Sequence, residues 1–110
     1  MRRKSDLRVI WSPLSKQDIN DLGEYLIRFV PLPKAENVVS GILLAGNSLN
    51  EFPRLSRIRN DMHPDLRLAL VRPHVICYLI KASNLHIVRV LHEKQDVAAA
   101  LSEDPMSPML

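Results

Sequence analysis

The residues with the chemistry to act on something are cationic. Arg54, Arg57 and Arg59 fall within six positions of the stretch Asn50–Pro64 (NEFPRLSRIRNDMHP), which holds no lysine, and Arg67 and Arg72 follow shortly after. A guanidinium fork matches the planar geometry of phosphate or carboxylate better than an ammonium does, so such a cluster suits an anionic target. The plain alternative for each arginine is a solvated surface position. Farther on, Arg89-Val90-Leu91-His92 adds a guanidinium and an imidazole, the side chain that most readily moves a proton near neutral pH. The other histidines are His63, His74 and His86, and each is read first as a surface or interface residue. His86 and His92 are six apart on one predicted strand, which puts them on one face roughly 20 Å apart, too far to share a metal. Cys77 is the single cysteine. It lies among aliphatics, so it is read as a small buried hydrophobe, and no internal disulfide can form. The chain has no phosphate-cradling glycine loop, no paired-cysteine zinc site and no Gly-x-Ser-x-Gly elbow, and the sequence calls for no metal and no cofactor.

The elements that must position these groups centre on Arg67 to Gln95. Three strands are predicted, at about Arg67–Val71, Val75–Ile80 and Leu85–His92, in β-branched and aliphatic sequence suited to a pleated, half-buried surface. Pro73 breaks the first gap and Ala82-Ser83-Asn84 supplies turn chemistry in the second. Gaps this short allow only antiparallel pairing, hence a meander. Val75, Cys77 and Leu79 fall on one face of the middle strand and Ile76, Tyr78 and Ile80 on the other, so both faces need cover. Upstream, Leu7–Trp11 is a short strand. Ser12-Pro13 then opens a helix, with serine at the N-cap and proline at the first helical position. Ile19, Leu22, Leu26, Phe29 and Val30 give it an apolar stripe to about Phe29. Pro31-Leu32-Pro33 breaks the chain, and a second helix runs from about Lys34 to Leu49. The two form an antiparallel hairpin over one face of an antiparallel sheet of about four strands, in which Trp11, Leu22, Leu26, Val39, Ile42 and Tyr78 should be largely buried. A last short helix starts at Val97. The fold class is α+β.

Composition limits what such a domain does. The 110 residues fit one domain, taken as 7–103, between a basic tail at 1–6 and a loose tail at 104–110. A formal charge of +3 and a pI near 9.4 favour acidic partners, nucleic acid or an acidic protein alike. No apolar run approaches the ~18–20 residues of a membrane span. Arg2-Arg3-Lys4 is followed by no hydrophobic signal core. A cytoplasmic protein with no membrane partner is therefore expected.

The order strand–helix–helix–meander, with VIWSPLSKQDINDLGEYL, LNEFPRLSR, LRLALVRPHVICYLI and IVRVLHEKQD, resembles the RelE/ParE family of bacterial toxin–antitoxin toxins. It is most similar to the ParE branch, through Trp11-Ser12-Pro13 and Arg89-Val90-Leu91-His92. One departure is Ser56, where the family has glycine before the arginine. The resemblance implies a toxin of a type II system, associated with plasmid stabilisation and neutralised by a cognate antitoxin, either as a homodimer or as a toxin–antitoxin hetero-oligomer. It implies one of two targets. ParE-like members block DNA gyrase and do no chemistry of their own. RelE-like members cut messenger RNA on the ribosome as metal-independent endoribonucleases, and there His92 with Arg67 and Arg89 would be the catalytic set. The Arg-Val-Leu-His ending and the lysine-free loop favour gyrase, with Arg54, Arg57, Arg59, Arg67 and Arg72 as target-binding residues. A non-toxic binding module of the same fold is the third reading.

Overall fold

A computed structural model describes residues 7–102, so the expected tails at 1–6 and 104–110 lie outside the described residues. Strand β1 (Arg8–Trp11) leads into helix α1 (Pro13–Leu26), and α2 (Leu32–Asn47) returns against it. A short 3₁₀ turn follows, then β2 (Arg57–Ile58), β3 (Arg67–Val71), β4 (His74–Lys81), β5 (Asn84–His92) and α3 (Val97–Ser102). The five strands form one sheet in the order β1-β5-β4-β3-β2. The predicted meander is β3-β4-β5, antiparallel throughout.

The sheet differs from the sequence expectation at both edges. β2, a two-residue strand inside the arginine loop, pairs antiparallel with Arg67 and Leu68 and makes a fifth strand. β1 joins β5 in parallel, because α1 and α2 carry the chain over one face before it re-enters the sheet. A third difference lies inside β5. Cys77 pairs with Arg89 but Tyr78 pairs with Ile87, so Val88 is an extra residue. The bulge shifts the alternation by one. Leu85 and Ile87 pack on the helix-covered face, and past the bulge so does Val90, while Val88 and Leu91 pack on the opposite one. His86 and His92 therefore lie on opposite faces, and the expectation that they share one is corrected.

Both faces of β4 are covered, as its two apolar sets require. Val75, Cys77 and Leu79 pack with Leu66, Val97 and Leu101 beneath α3. Ile76 and Tyr78 pack with Ile42 of α2 and, at the margin, with Trp11, Ile19 and Leu22. Of the residues expected to be largely buried, Ile42 and Tyr78 are; Trp11, Leu22, Leu26 and Val39 are half-buried. The hairpin forms a single outer layer, so its margins stay wet. α1 also stops at Leu26, and Phe29 beyond it is 67% exposed.

The junction after β1 explains Trp11-Ser12-Pro13. Ser12 Oγ accepts the Ser15 N–H at 3.0 Å as the N-cap and donates to the Val88 carbonyl at 2.8 Å, which ties the start of α1 to the bulge in β5. The Trp11 indole N–H reaches Asn47 Oδ1 at 2.8 Å, and its ring lies on Gly46, where a Cβ would stand 2.5 Å from two ring carbons. Gly46 is the glycine that close approach requires.

Candidate functional site

Two regions gather the residues that sequence reasoning singled out. The first is a cleft of about 370 Å³ between α1 and the ends of β4 and β5, lined by Asp18, Asp21, Tyr25, His74, Arg89 and His92 among others. Here Asp18 faces Arg89 in a bidentate pair, Nε to Oδ2 at 2.8 Å and Nη2 to Oδ1 at 2.9 Å. Asp18 Oδ2 also accepts the Val90 N–H at 2.9 Å. β1 pairs only as far as Ile87, so the carboxylate takes over the edge of β5 where the neighbouring strand ends. Both side chains are under a fifth exposed, at 18% and 13%. Arg89 Nη1 further points at the Ala100 carbonyl of α3, 3.4 Å away.

His92 pairs across strands with His74, ring centroids 5.6 Å apart and edge to face. Its Nδ1 accepts the Lys94 N–H at 3.1 Å. His74 is buried, and burial first, then the neighbouring His92, pushes its pKa below the ordinary imidazole value, with Glu93 pulling weakly the other way. Arg72, at the same end of the sheet, is paired with Glu93 at 2.8 Å.

The second region is the loop before β2. Leu55 N–H donates to the Phe52 carbonyl at 3.1 Å, closing a tight turn with Pro53 at its second position, where a fixed φ suits it. Tyr78 Oη donates to the Pro53 carbonyl at 2.8 Å. Burial pushes the Tyr78 phenol above its ordinary pKa, so it remains a donor at neutral pH. Arg67 Nη1 donates to the Arg54 carbonyl at 3.0 Å and the Ser56 carbonyl at 2.8 Å. Carbonyls of the loop are thus drawn onto the sheet, while Phe52, Arg54, Leu55 and Arg57 stand in solvent. Arg59 pairs with Asp61 at 2.8 Å and holds that carboxyl below the usual carboxylate range.

The predicted residues are therefore divided by the fold. Arg89 and His92 share the cleft, and Arg72 lies outside its lining, paired with Glu93 at the same end of the sheet. Arg54 on the loop and Arg57 on β2 lie three strands away from β5, and Arg67 on β3 lies two; from strand and residue spacings His92 and Arg57 are roughly 17 Å apart. Asp18 and His74 were not singled out from the sequence. Asp18 reads as one polar residue on an amphipathic helix, and its partner is 71 positions away. His74 had a signal in the turn at Pro73, which sets it opposite the end of the next strand.

A third feature is an apolar groove of about 640 Å³ between α1 and α2, lined by Ile19, Gly23, Ile27, Leu32, Ala35 and Val39 among others. Tyr25, Ile27, Phe29 and Leu32 near the tip of the hairpin are each more than half exposed.

The model of one protein family, the ParE toxin of type II toxin–antitoxin systems (parDE), matches residues 9–97. The chain belongs to this family. The match runs from β1 into α3, so the cleft, the loop and the hairpin groove are all part of the ParE-type domain. Toxin ParE3 of Caulobacter vibrioides is 36% identical over 55 residues, half of this chain and 55% of that relative. The chain thus spans about half the length of the curated relative it matches. A solved structure described as the chromosomal ParDE TA system from P. aeruginosa has the same fold, with a TM-score of 0.71 at 18% identity over 79% of this chain and 96% of that one. The α+β architecture expected from the sequence is the ParE fold. No helix among the described residues is long and apolar enough to cross a membrane.

Proposed function

We propose that this ParE-family chain is a toxin that inhibits DNA gyrase without chemistry of its own, acts in the bacterial cytoplasm, and is neutralised by a cognate antitoxin. The observation that carries the reading is the state of charge around His92. Cutting RNA there would need a phosphate held beside the imidazole by cations free to bind it. Arg89 is engaged by Asp18 and Arg72 by Glu93. Asp21 adds another carboxylate to the same cleft. Of the loop arginines singled out from the sequence, Arg59 is engaged by Asp61, while Arg54 and Arg57 have no ion-pair partner among the described residues and stand out of reach of His92. The geometry favours binding at the loop over proton transfer at the cleft.

The antitoxin reading rests on the family and on the hairpin groove. An amphipathic helix laid in an apolar groove is a common recognition mode, and an acidic disordered arm would suit a chain of net charge +3. Inducing the chain alone in bacteria should reduce colony counts, and inducing it with the antitoxin encoded beside it should restore them. The purified chain should inhibit gyrase supercoiling and leave messenger RNA intact. His92→Gln should remain toxic to within about threefold, whereas loss of a proton-transfer residue typically costs 10²–10⁴ in rate. Complete loss of toxicity in a His92→Gln chain that still binds antitoxin with unchanged affinity would move the assignment to the RNA-cleaving mechanism.

A further inference from the structure

The loop before β2 combines features that the gyrase reading alone does not require. Leu55 is 81% exposed, the most exposed large hydrophobic residue among the described residues, and Phe52 is 48% exposed three positions before it. A single solvated leucine means little. These two are joined by the Phe52–Leu55 turn, with Arg54 between them and Arg57 on the strand that follows. A loop that merely connected two elements could let its apolar side chains fold back. This one cannot, because its carbonyls at Pro53, Arg54 and Ser56 are held by the buried Tyr78 and by Arg67. The carbonyls face the sheet, Arg54, Leu55 and Arg57 face solvent, and Phe52 is half exposed.

We infer that the turn Phe52–Leu55 with Arg57 is a preformed docking tip for an acidic protein surface containing an apolar pocket, with Phe52 and Leu55 as anchors, Arg54 and Arg57 as the charged rim, and Tyr78 and Arg67 as positioning residues. The inference rests on the proposed toxin function and specifies where the target is met. The composition argues for protein over nucleic acid. Aromatic residues and arginine are enriched in protein interfaces, and an apolar centre inside a charged rim is their usual anatomy. A phosphate-tracking surface would present more cations, and an aliphatic side chain offers no stacking face for a base. Holding the tip in one conformation lowers the ordering penalty on binding, which gives the Tyr78 and Arg67 contacts a purpose beyond stability.

The test uses the full chain, purified DNA gyrase holoenzyme, and a labelled 30-base-pair DNA duplex and 30-nucleotide RNA as probes. Phe52→Ser with Leu55→Ser should weaken gyrase binding at least ~30-fold and abolish toxicity, with only a small drop in melting temperature because Leu55 is largely in water and Phe52 half so. Arg54→Gln with Arg57→Gln should slow association and flatten its salt dependence. Tyr78→Phe should weaken binding about tenfold. In that background the Phe52/Leu55 changes should cost less than in the wild type, a coupling that a merely structural tyrosine would not produce. If the anchor variant folds and keeps wild-type toxicity, the tip proposal is overturned whatever gyrase does. If the wild type is toxic but does not bind gyrase, while the anchor variant is harmless, the gyrase reading fails and the tip stands. Tight binding of the DNA or RNA probe that disappears in the anchor variant overturns the protein partner in favour of nucleic acid. A wild-type chain that is neither toxic nor bound by gyrase overturns both.

Discussion

At the α1 side of the sheet, Arg89 turns its guanidinium into the protein and onto Asp18; toward the opposite edge, Arg67 turns its own onto backbone carbonyls while Arg54 and Arg57 stay in solvent. Sequence presents these arginines as equals. The fold does not. In the cleft, side-chain charge is neutralised by side-chain charge, and the pair also closes the strand edge that β1 leaves open. At the loop, the sheet satisfies the backbone and leaves the side-chain charge unspent. A guanidinium becomes available to a partner only where something else meets the needs of the chain around it. The cleft, which holds the more familiar catalytic residue types, is by this measure the structural site, and the loop is the recognition site.

The sharpest way to break this contrast is at Asp18. Asp18→Ala leaves Arg89 partly buried without its carboxylate and the Val90 N–H without its acceptor. Removing one member of a buried pair typically costs ~3–5 kcal/mol, and the residual exposure here places the expected loss near the lower end, at about 3 kcal/mol. Urea unfolding measures it. Asp18→Leu with Arg89→Met should recover more than half, because no charge is then stranded. A loss below about 1 kcal/mol for Asp18→Ala would class the pair with ordinary surface ion pairs, and the cleft would no longer count as structural.

A smaller effect belongs to the other region. Arg67→Met removes the donor to the Arg54 and Ser56 carbonyls, which water can partly replace because both groups are near the surface. Hydrogen bonds from a charged donor are worth ~1.5–3 kcal/mol when well shielded; here about 1 kcal/mol is expected in urea unfolding. The local signature should be larger than the global one. Amide exchange over residues 54–57 should quicken well beyond that of β4 and β5. Unchanged protection in the loop would mean that Arg67 does not hold it, and the distinction between a preformed tip and a mobile one would collapse.

How far each region was legible follows from the range of its contacts. The meander, the Ser12-Pro13 helix start and the opposed apolar faces of β4 were readable because short gaps, caps and alternation are local signals. β2 was not, because two residues amid Pro53, Ser56 and three arginines show no alternation. The parallel placement of β1 was not, because it depends on how the helical hairpin returns the chain. Arg89 was legible as a chemistry-bearing residue but not as a paired one, since the carboxylate that engages it belongs to a helix 71 positions earlier. The bulge at Val88 defeated the face assignment of His86 and His92, as one inserted residue reverses a period of two. The loop arginines were legible as a cluster. What singles out Arg54 and Arg57 is the fate of the carbonyls around them, which side-chain types do not reveal.

The mildest test separates the two regions by pH. His74 is 7% exposed and meets His92 edge to face, with Glu93 and its partner Arg72 at the same strand ends and the Asp18–Arg89 pair across the cleft. Burial and His92 lower the His74 pKa below the ordinary imidazole value. The unfolded chain therefore takes up this proton before the folded one does. The stability that comes from holding His74 neutral is complete above the unfolded value and is lost as pH falls from there toward the folded pKa, at no more than about 1.4 kcal/mol per pH unit for one proton. Urea midpoints taken from about pH 7 to about pH 5.5, above the ordinary carboxylate range, should fall in the wild type and fall less in His74→Gln. The loosening should also be local. Amide protection, taken relative to the intrinsic exchange rate at each pH, should fall at the His74 and His92 strand ends with acid while that of residues 54–57 holds, because the loop is tied by a phenol and a guanidinium that do not change charge in this range. If the loop loosens first, the tie through Tyr78 and Arg67 is not what fixes it, and the cleft is not the acid-sensitive end of the sheet.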